Sequence, residues 1–153
     1  MGKVESFSLD HTKVKAPYVR ECCRMYGAKG DLVQKFDIRF IQPNKGAIPT
    51  GVLHAMEHIM AYSIRKTMGD AVIDLSPMGC RTGFYLTVWG EKGCAEVIVS
   101  VKQALYAIIK ATKVPASNEK ECGNYRDLSL FGAKEYAKEL VEKVFIMYPL
   151  GTL

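Results

Sequence analysis

Hydrophobic and polar residues alternate between Leu32 and Ile41. This is the period of a β-strand with one buried face. The apolar face comprises Phe36, Ile38 and Phe40, and the opposite face comprises Lys35, Asp37 and Arg39. The pattern therefore predicts a strand that directs a charged face toward another part of the protein.

A helical period follows from Gly51 to Met68, where apolar residues recur at spacings of three and four. These residues are Leu53, Met56, Ile59, Met60 and Ile64. Thr50 is the expected N-cap, because its side-chain oxygen can accept a hydrogen bond from the first turn. We predict that this helix is the element that bears the functional site.

Two further strands are predicted at Ala71–Leu75 and Phe84–Trp89, which are rich in β-branched and aromatic residues. The turn-forming segment 76–83 joins them and contains Cys80. Strands mixed with helices indicate the α+β class, with an antiparallel sheet packed by helices on one face.

Two more helices are predicted, from about Ala95 to Ala111 and from about Ser129 to Phe145. The expected apolar side of the last helix comprises Ala133, Tyr136, Ala137, Leu140 and Val144. Between the helices, Asn118 and Glu121 form a capping-box pattern and Gly123 is a terminator, which predicts one short helical turn ending at Cys122.

Length and composition indicate one soluble domain spanning residues 1–153, with 48% hydrophobic and 24% charged residues. The excess of 21 basic over 16 acidic residues gives a net charge of +5. The basic residues are scattered, which favours small anionic ligands over nucleic acid. No membrane-spanning stretch and no signal core within Met1–Asp10 are found, so we expect a cytoplasmic protein that does not bind membranes.

His54 and His58 lie four residues apart on the predicted helix, about 40° apart around its axis, so both imidazoles can bind one metal ion. Glu57 lies within the same arc and can act as a general base beside that ion. For the two histidines alone, a surface pair or buried core histidines is an equally good interpretation. The presence of Glu57 favours the metal site.

A zinc or iron site needs a third protein ligand, and a catalytic site keeps a further position open. Cys122 is the candidate, because it ends a capped turn in a loop. Cys94 opens an apolar helix and is expected to pack, and the adjacent Cys22 and Cys23 are expected to be structural. The alternative for Cys122 is a small buried hydrophobic residue.

Cys80 lies in a flexible loop beside the cation Arg81, which would favour a thiolate suited to proton transfer. A nucleophile activated by histidine is the alternative, for which only His11 is free. Arg65 lies seven residues past His58, close to the same helical stripe, and could hold a ligand carboxylate. On periodicity alone, an ordinary solvated arginine is the better interpretation of Arg65.

The chain resembles the LuxS family of S-ribosylhomocysteine lyases in a series of motifs that run in order along nearly its whole length. The motifs are Val4-Glu5-Ser6-Phe7 with Asp10-His11, Ala16-Pro17-Tyr18-Val19-Arg20, Lys35-Phe36-Asp37-Ile38-Arg39-Phe40, Gln42-Pro43-Asn44, His54-x-x-Glu57-His58, Ser76-Pro77-Met78-Gly79-Cys80-x-Thr82-Gly83 and Asn118-Glu119-Lys120-x-Cys122-Gly123. The departures from the family pattern are a shortened stretch between Met68 and Ala71, Leu53 and Ala55-Met56 within the helix, and a shorter tail. They leave every motif residue in place and bear on pocket detail and dimer packing.

The resemblance implies a role for each site residue. His54, His58 and Cys122 would bind one divalent metal per chain, Fe(II) being expected and Zn possible, and Glu57 with Cys80 would be the acid/base pair. Contacts to the substrate would come from Ser6, His11 and Arg39 at the ribose and from Arg65 and Asp74 at the homocysteine end.

The resemblance also implies a reaction and an assembly. The thioether of S-ribosylhomocysteine would be cleaved, by carbonyl migration and β-elimination, to homocysteine and dihydroxypentanedione, the autoinducer-2 precursor. The protein would be a homodimer with its sites at the subunit interface.

Two other functions remain open at this point. The pattern His-x-x-Glu-His is also the inverted-zincin signature of metallopeptidases, although such sites usually add a downstream carboxylate and the chain is short for a peptide cleft. The other function is that of a non-catalytic binding module in which the metal only stabilises the fold. Such a module would have a closed four-ligand site, and its function would tolerate Glu57→Gln and Cys80→Ala.

Overall fold

The computed structural model describes residues 4–153; residues 1–3, the start of the segment in which no signal core is predicted, lie outside it. The elements run in the order α1 (Glu5–Ser8), β1 (Tyr18–Tyr26), β2 (Leu32–Arg39), α2 (Thr50–Met68), a 3₁₀ turn (Gly69–Ala71), β3 (Val72–Pro77), β4 (Gly83–Trp89), α3 (Cys94–Lys110), α4 (Leu130–Val141) and β5 (Ile146–Tyr148). None of the helices among residues 4–153 combines the length and the hydropathy of a transmembrane segment.

The five strands form one sheet in the order β3-β4-β2-β1-β5. Four strands are antiparallel, as predicted, whereas β5 pairs with β1 in parallel. The sheet is therefore mixed, because the long helical connection before β5 brings the chain back in the direction of β1. The predicted α+β class is confirmed, with α2 and α3 packed against the face that bears Phe36, Ile38 and Leu86, and α4 packed against α2 and α3.

The predicted helix boundaries are confirmed for α2 and α3 to within one residue, but two details differ. Thr50 is the first helical residue, and Pro49 precedes it without a side-chain cap. The last helix ends at Val141, so Val144, which is 86% exposed, does not belong to its apolar side. Ser129 caps this helix by accepting a hydrogen bond from the Gly132 backbone N–H.

Strand β1 is not predicted from the sequence, because its pattern does not alternate between apolar and polar residues. Arg20 and Glu21 are both buried, so this strand has charged side chains where a simple pattern would place apolar ones. Each is neutralised by a partner: Arg20 pairs with Glu5 and Asp37, and Glu21 pairs with Arg24.

The charged face of β2 contacts neighbouring side chains of the sheet: Asp37 and Arg39 are buried, and the half-buried Lys35 lies over the Tyr85 ring. Asp37 is fully buried and accepts hydrogen bonds from the Tyr18 hydroxyl (3.0 Å) and from Arg39 at Nε (3.0 Å) and Nη2 (2.8 Å). The paired contacts fix the plane of the Arg39 guanidinium. Its third nitrogen, Nη1, is left free to point away from Asp37.

Gly132 allows α4 to approach α2 closely, since a Cβ at this position would lie 2.4 Å from Val52 Cγ2. We expect Gly132→Ala to lower the free energy of unfolding by about 1–3 kcal/mol, because the branched valine cannot move aside without repacking. Urea denaturation of metal-loaded protein measures this change. Gly79→Ala is the matched control, because a Cβ there meets nothing within 4 Å. If Gly132→Ala and Gly79→Ala had equal free energies of unfolding, α2 and α4 would be able to move apart without loss of stability.

Candidate metal centre

Helix α2 presents His54 and His58 one turn apart, and the loop after α3 brings Cys122 to them. The two Nε2 atoms lie 3.1 Å apart, and Cys122 Sγ lies 3.4 Å from His54 Nε2. The three potential ligand atoms all lie within 4.8 Å of one another. The convergence predicted from the sequence is therefore present in the folded chain.

The spacing of these atoms fits a tetrahedral metal site. With metal–nitrogen bonds of about 2.05 Å and metal–sulfur bonds of about 2.3 Å, two ligands of a tetrahedron lie about 3.3 Å apart for N and N, and about 3.6 Å for N and S. The observed separations of 3.1 and 3.4 Å are close to these values. Two nitrogens and one sulfur suit Zn or Fe(II) and leave a fourth position for another group.

Backbone carbonyl groups set the tautomer of both histidines. His54 Nδ1 lies 2.9 Å from the carbonyl oxygen of Asp127, and His58 Nδ1 lies 2.8 Å from that of Pro115. A carbonyl only accepts hydrogen bonds, so each Nδ1 bears the hydrogen and each Nε2 presents a lone pair. This is the usual arrangement of metal-binding histidines. Two facing lone pairs repel each other unless a cation or a proton lies between them.

The loop that supplies Asp127 is tied to the start of α2, because Ser129 N donates to the Gly51 carbonyl at 2.8 Å. The sequence did not reveal the roles of Asp127 and Pro115. Both act through backbone carbonyls, which every residue has, so residue type contains no signal for them.

The turn that bears Cys122 is organised by Asn118, as predicted. Asn118 Oδ1 accepts hydrogen bonds from the backbone N–H groups of Lys120 (3.0 Å) and Glu121 (3.2 Å), and the Asn118 amide contacts the Glu121 carboxylate. The Cys122 N–H donates to the Asn118 carbonyl at 3.0 Å. This is a single hydrogen-bonded turn rather than a regular helix, and it holds the thiol toward His54.

Glu57 lies beside the candidate metal-binding group, with Oε2 3.7 Å from His58 Nε2 and the side chain 26% exposed. Burial raises the pKa of its carboxyl, while the neighbouring His58 and His54 lower it in part. Asp74 raises this pKa further and Arg65 lowers it. A carboxyl with a raised pKa exchanges protons more readily near neutral pH than an ordinary surface glutamate.

Cys80 is exposed and lies at the edge of a buried charge cluster formed by Arg20, Asp37 and Arg39. Arg39 Nη1 lies 3.9 Å from the Cys80 sulfur and donates to Thr82 Oγ1 at 3.0 Å. The sequence pointed to Arg81 as the nearby cation, but Arg81 donates to the Ile48 carbonyl instead. Arg39 approaches Cys80 because β2 and β4 are paired at this point, with Arg39 opposite Gly83.

The remaining predicted site residues lie in two regions. Ser6, on α1, is beside Tyr85, and His11 Nδ1 lies 3.0 Å from the Leu9 carbonyl oxygen. Arg65 is exposed on α2, donating to the Ala61 carbonyl at 3.0 Å, and Asp74 is exposed on β3. Both of these last charges act on Glu57.

Comparison with known proteins agrees with the motif resemblance. A family model described as S-Ribosylhomocysteinase (LuxS) matches residues 4–148. The chain is 57% identical over 151 residues to an S-ribosylhomocysteine lyase of Clostridioides difficile (strain 630), and 55% identical over 151 residues to that of Clostridium botulinum (strain Alaska E43 / Type E3), covering 99% of each chain in both cases. A Lactobacillus acidophilus enzyme of the same name is 53% identical over 146 residues, which is 94% of this chain and 92% of the relative. The protein therefore belongs to the S-ribosylhomocysteinase (LuxS) family.

Proposed function

We propose that this protein is an S-ribosylhomocysteine lyase, a carbon–sulfur lyase that cleaves its substrate to homocysteine and dihydroxypentanedione, the autoinducer-2 precursor. The observation that supports it most is the triangle of His54, His58 and Cys122 with Glu57 beside it. Relatives that share more than half of the residues bear this enzyme name. A thiolate as third ligand argues against the metallopeptidase alternative, whose sites use a carboxylate there.

The reaction requires proton transfers at carbon and no net oxidation. The carbon–sulfur bond breaks by β-elimination once the carbon that bears the sulfur is β to a carbonyl. The aldose carbonyl must therefore first move along the sugar in two isomerisations. Each isomerisation removes a proton from one carbon and returns one to its neighbour. When bound, a divalent metal would supply Lewis acidity toward the substrate's oxygens.

The proposed roles of the chain's own groups follow from their positions. Glu57 and Cys80 are the acid/base pair that moves protons between neighbouring carbons. Arg39 contacts the sugar together with Ser6 and His11, and Arg65 and Asp74 contact the homocysteine carboxylate and amino group. The opposite charges of Arg65 and Asp74, both acting on Glu57, support this last assignment because they match a zwitterionic amino acid beside the site.

We also propose Fe(II) as the native metal with Zn as a substitute, since imidazole and thiolate suit both ions. The single domain is proposed to form a cytoplasmic homodimer with its sites at the interface, and to bind neither nucleic acid nor membrane. The exposed Phe7 and Phe131, at 86% and 79%, support an assembly that covers apolar surface.

Anaerobic purification, metal analysis and chromatographic detection of homocysteine released from S-ribosylhomocysteine test the proposed function. We expect about one metal ion per chain, as one three-ligand site allows, and thiol release that stops when a chelator removes the metal. Hydrolysis of a peptide library without thiol release would overturn the lyase assignment in favour of a metallopeptidase. A metal-loaded protein inactive toward both would favour the binding module.

Arg65→Gln is expected to raise KM for S-ribosylhomocysteine about 10–100-fold with little change in kcat, because a charge-assisted hydrogen bond to a carboxylate is lost. Steady-state kinetics measures both parameters. Lys66→Gln is the matched control, since Lys66 is the neighbouring exposed cation on the same helix. An equal rise in KM for both variants would mean that general charge attracts the substrate and that Arg65 makes no specific contact.

A further inference from the structure

Thr82 is a buried polar residue, 4% exposed, whose hydroxyl lies between Arg39 and Cys80. Its Oγ1 is 3.0 Å from Arg39 Nη1 and 3.1 Å from Cys80 Sγ. The two contacts join the buried charge cluster to an exposed thiol. The proposed mechanism gives the Thr82 hydroxyl no role.

The direction of the hydrogen bonds follows from the donors available. A guanidinium has only donors, so Thr82 Oγ1 must accept from Arg39 Nη1. Asp37 occupies Nε and Nη2 of the same guanidinium, which keeps Nη1 directed at the threonine. The threonine hydrogen and its second lone pair then remain for the Cys80 sulfur.

Both protonation states of Cys80 are satisfied by this hydroxyl. A thiolate only accepts, so Thr82 donates to it; a thiol can instead donate its hydrogen to the second lone pair of Oγ1. The sulfur therefore keeps a hydrogen-bond partner while it gains and loses a proton. Because Arg39 donates to the same oxygen, the hydroxyl is polarised and becomes a stronger donor to the sulfur.

We propose that Thr82 is a positioning residue for Cys80: its hydroxyl, polarised by Arg39, donates a hydrogen bond to the sulfur and holds it in the orientation for proton transfer. This inference rests on the proposed lyase function, in which Cys80 moves protons. The backbone at this point is held independently of the side chain, because the Thr82 carbonyl accepts from the N–H groups of Phe40 (2.9 Å) and Ile41 (3.0 Å).

Thr82→Val and Thr82→Ser in the metal-loaded protein test the proposal. We expect alkylation of Cys80 by iodoacetamide at pH 7 to be about tenfold slower in the valine variant, because a hydrogen bond to a charged sulfur is lost. The serine variant, which keeps the hydroxyl, should react within about threefold of wild type. Peptide mass spectrometry quantifies modification at Cys80 itself, separately from the other cysteines.

The same variants should show a matching effect on catalysis, with kcat lowered about tenfold for valine, KM little changed and serine largely restoring kcat. Thr87→Val is the control, because it removes the hydroxyl of another threonine, at a partly buried position on β4. If the valine variant does not fold, as judged by thermal unfolding and metal content, Thr82→Ala replaces it in the comparison with serine.

Alkylation of Cys80 at the wild-type rate in the valine or alanine variant would overturn the role of Thr82, as would a serine variant as slow as valine. A wild-type protein that releases no homocysteine would instead overturn the lyase assignment. The two failures are distinguishable because alkylation requires no substrate.

Discussion

Glu57→Gln is expected to lower kcat for homocysteine release about 10²–10⁴-fold, the usual contribution of a positioned general acid or base. The amide is nearly isosteric with the carboxyl but cannot accept a proton from carbon. Because Glu57 lies beside the metal-binding group without belonging to it, metal content should stay unchanged. Kinetics with metal analysis on the same preparation measures both quantities.

Glu135→Gln is the matched control for this change, since Glu135 is a glutamate on α4 with a half-exposed side chain. It should leave kcat and metal content at wild-type values. Full activity of the Glu57→Gln variant, with metal bound, would contradict the assignment of Glu57 as acid/base and would mean that another group moves the protons.

Cys122→Ala is expected to lower metal affinity by more than about 100-fold, since the loss of a group that merely orients a ligand already costs about 10–100-fold. Thiol release should fall in parallel with metal content. Substitution with Co(II) provides a second measurement, because a thiolate ligand produces a charge-transfer absorption that an imidazole does not. That absorption should disappear in the variant.

Cys23→Ala is the control for the cobalt experiment, because Cys23 is also a partly buried free thiol but lies on β1. Its cobalt spectrum and metal stoichiometry should match those of wild type. Retention of the charge-transfer absorption by Cys122→Ala would show that another group is the sulfur ligand. The metal assignment would then be wrong at this residue.

The two predictions probe different properties of one arrangement. The Glu57→Gln variant tests whether the site catalyses the reaction. The Cys122→Ala variant tests whether the metal ion is bound by the ligands that the geometry indicates. The orientation of both imidazoles by the Asp127 and Pro115 carbonyls means that little rearrangement is needed when the metal binds.

The features of this protein that depend on local periodicity could be predicted from the amino-acid sequence. The apolar spacing of α2 and the positions of His54, Glu57 and His58 on one arc follow from the 3.6-residue repeat of a helix. The Asn118 turn before Cys122 is equally local, because it is closed by hydrogen bonds within a few residues. These features were predictable because the residues that form them are neighbours in the chain.

Contacts between distant residues had to be established from the tertiary structure: the sequence offered Cys122 as a candidate third ligand, and the fold places its sulfur beside His54. Cys122 and His54 are 68 residues apart in sequence, and Arg39 and Cys80 are 41 apart. The sequence suggested Arg81 as the cation beside Cys80, whereas strand pairing brings Arg39 there. It also left β1 unpredicted, since Arg20 is buried with Glu5 of α1 and Asp37 of β2, and Glu21 accepts a hydrogen bond from Gln34 of β2. Such contacts depend on packing and on hydrogen-bond geometry between elements, and neither has a repeating signature along the chain.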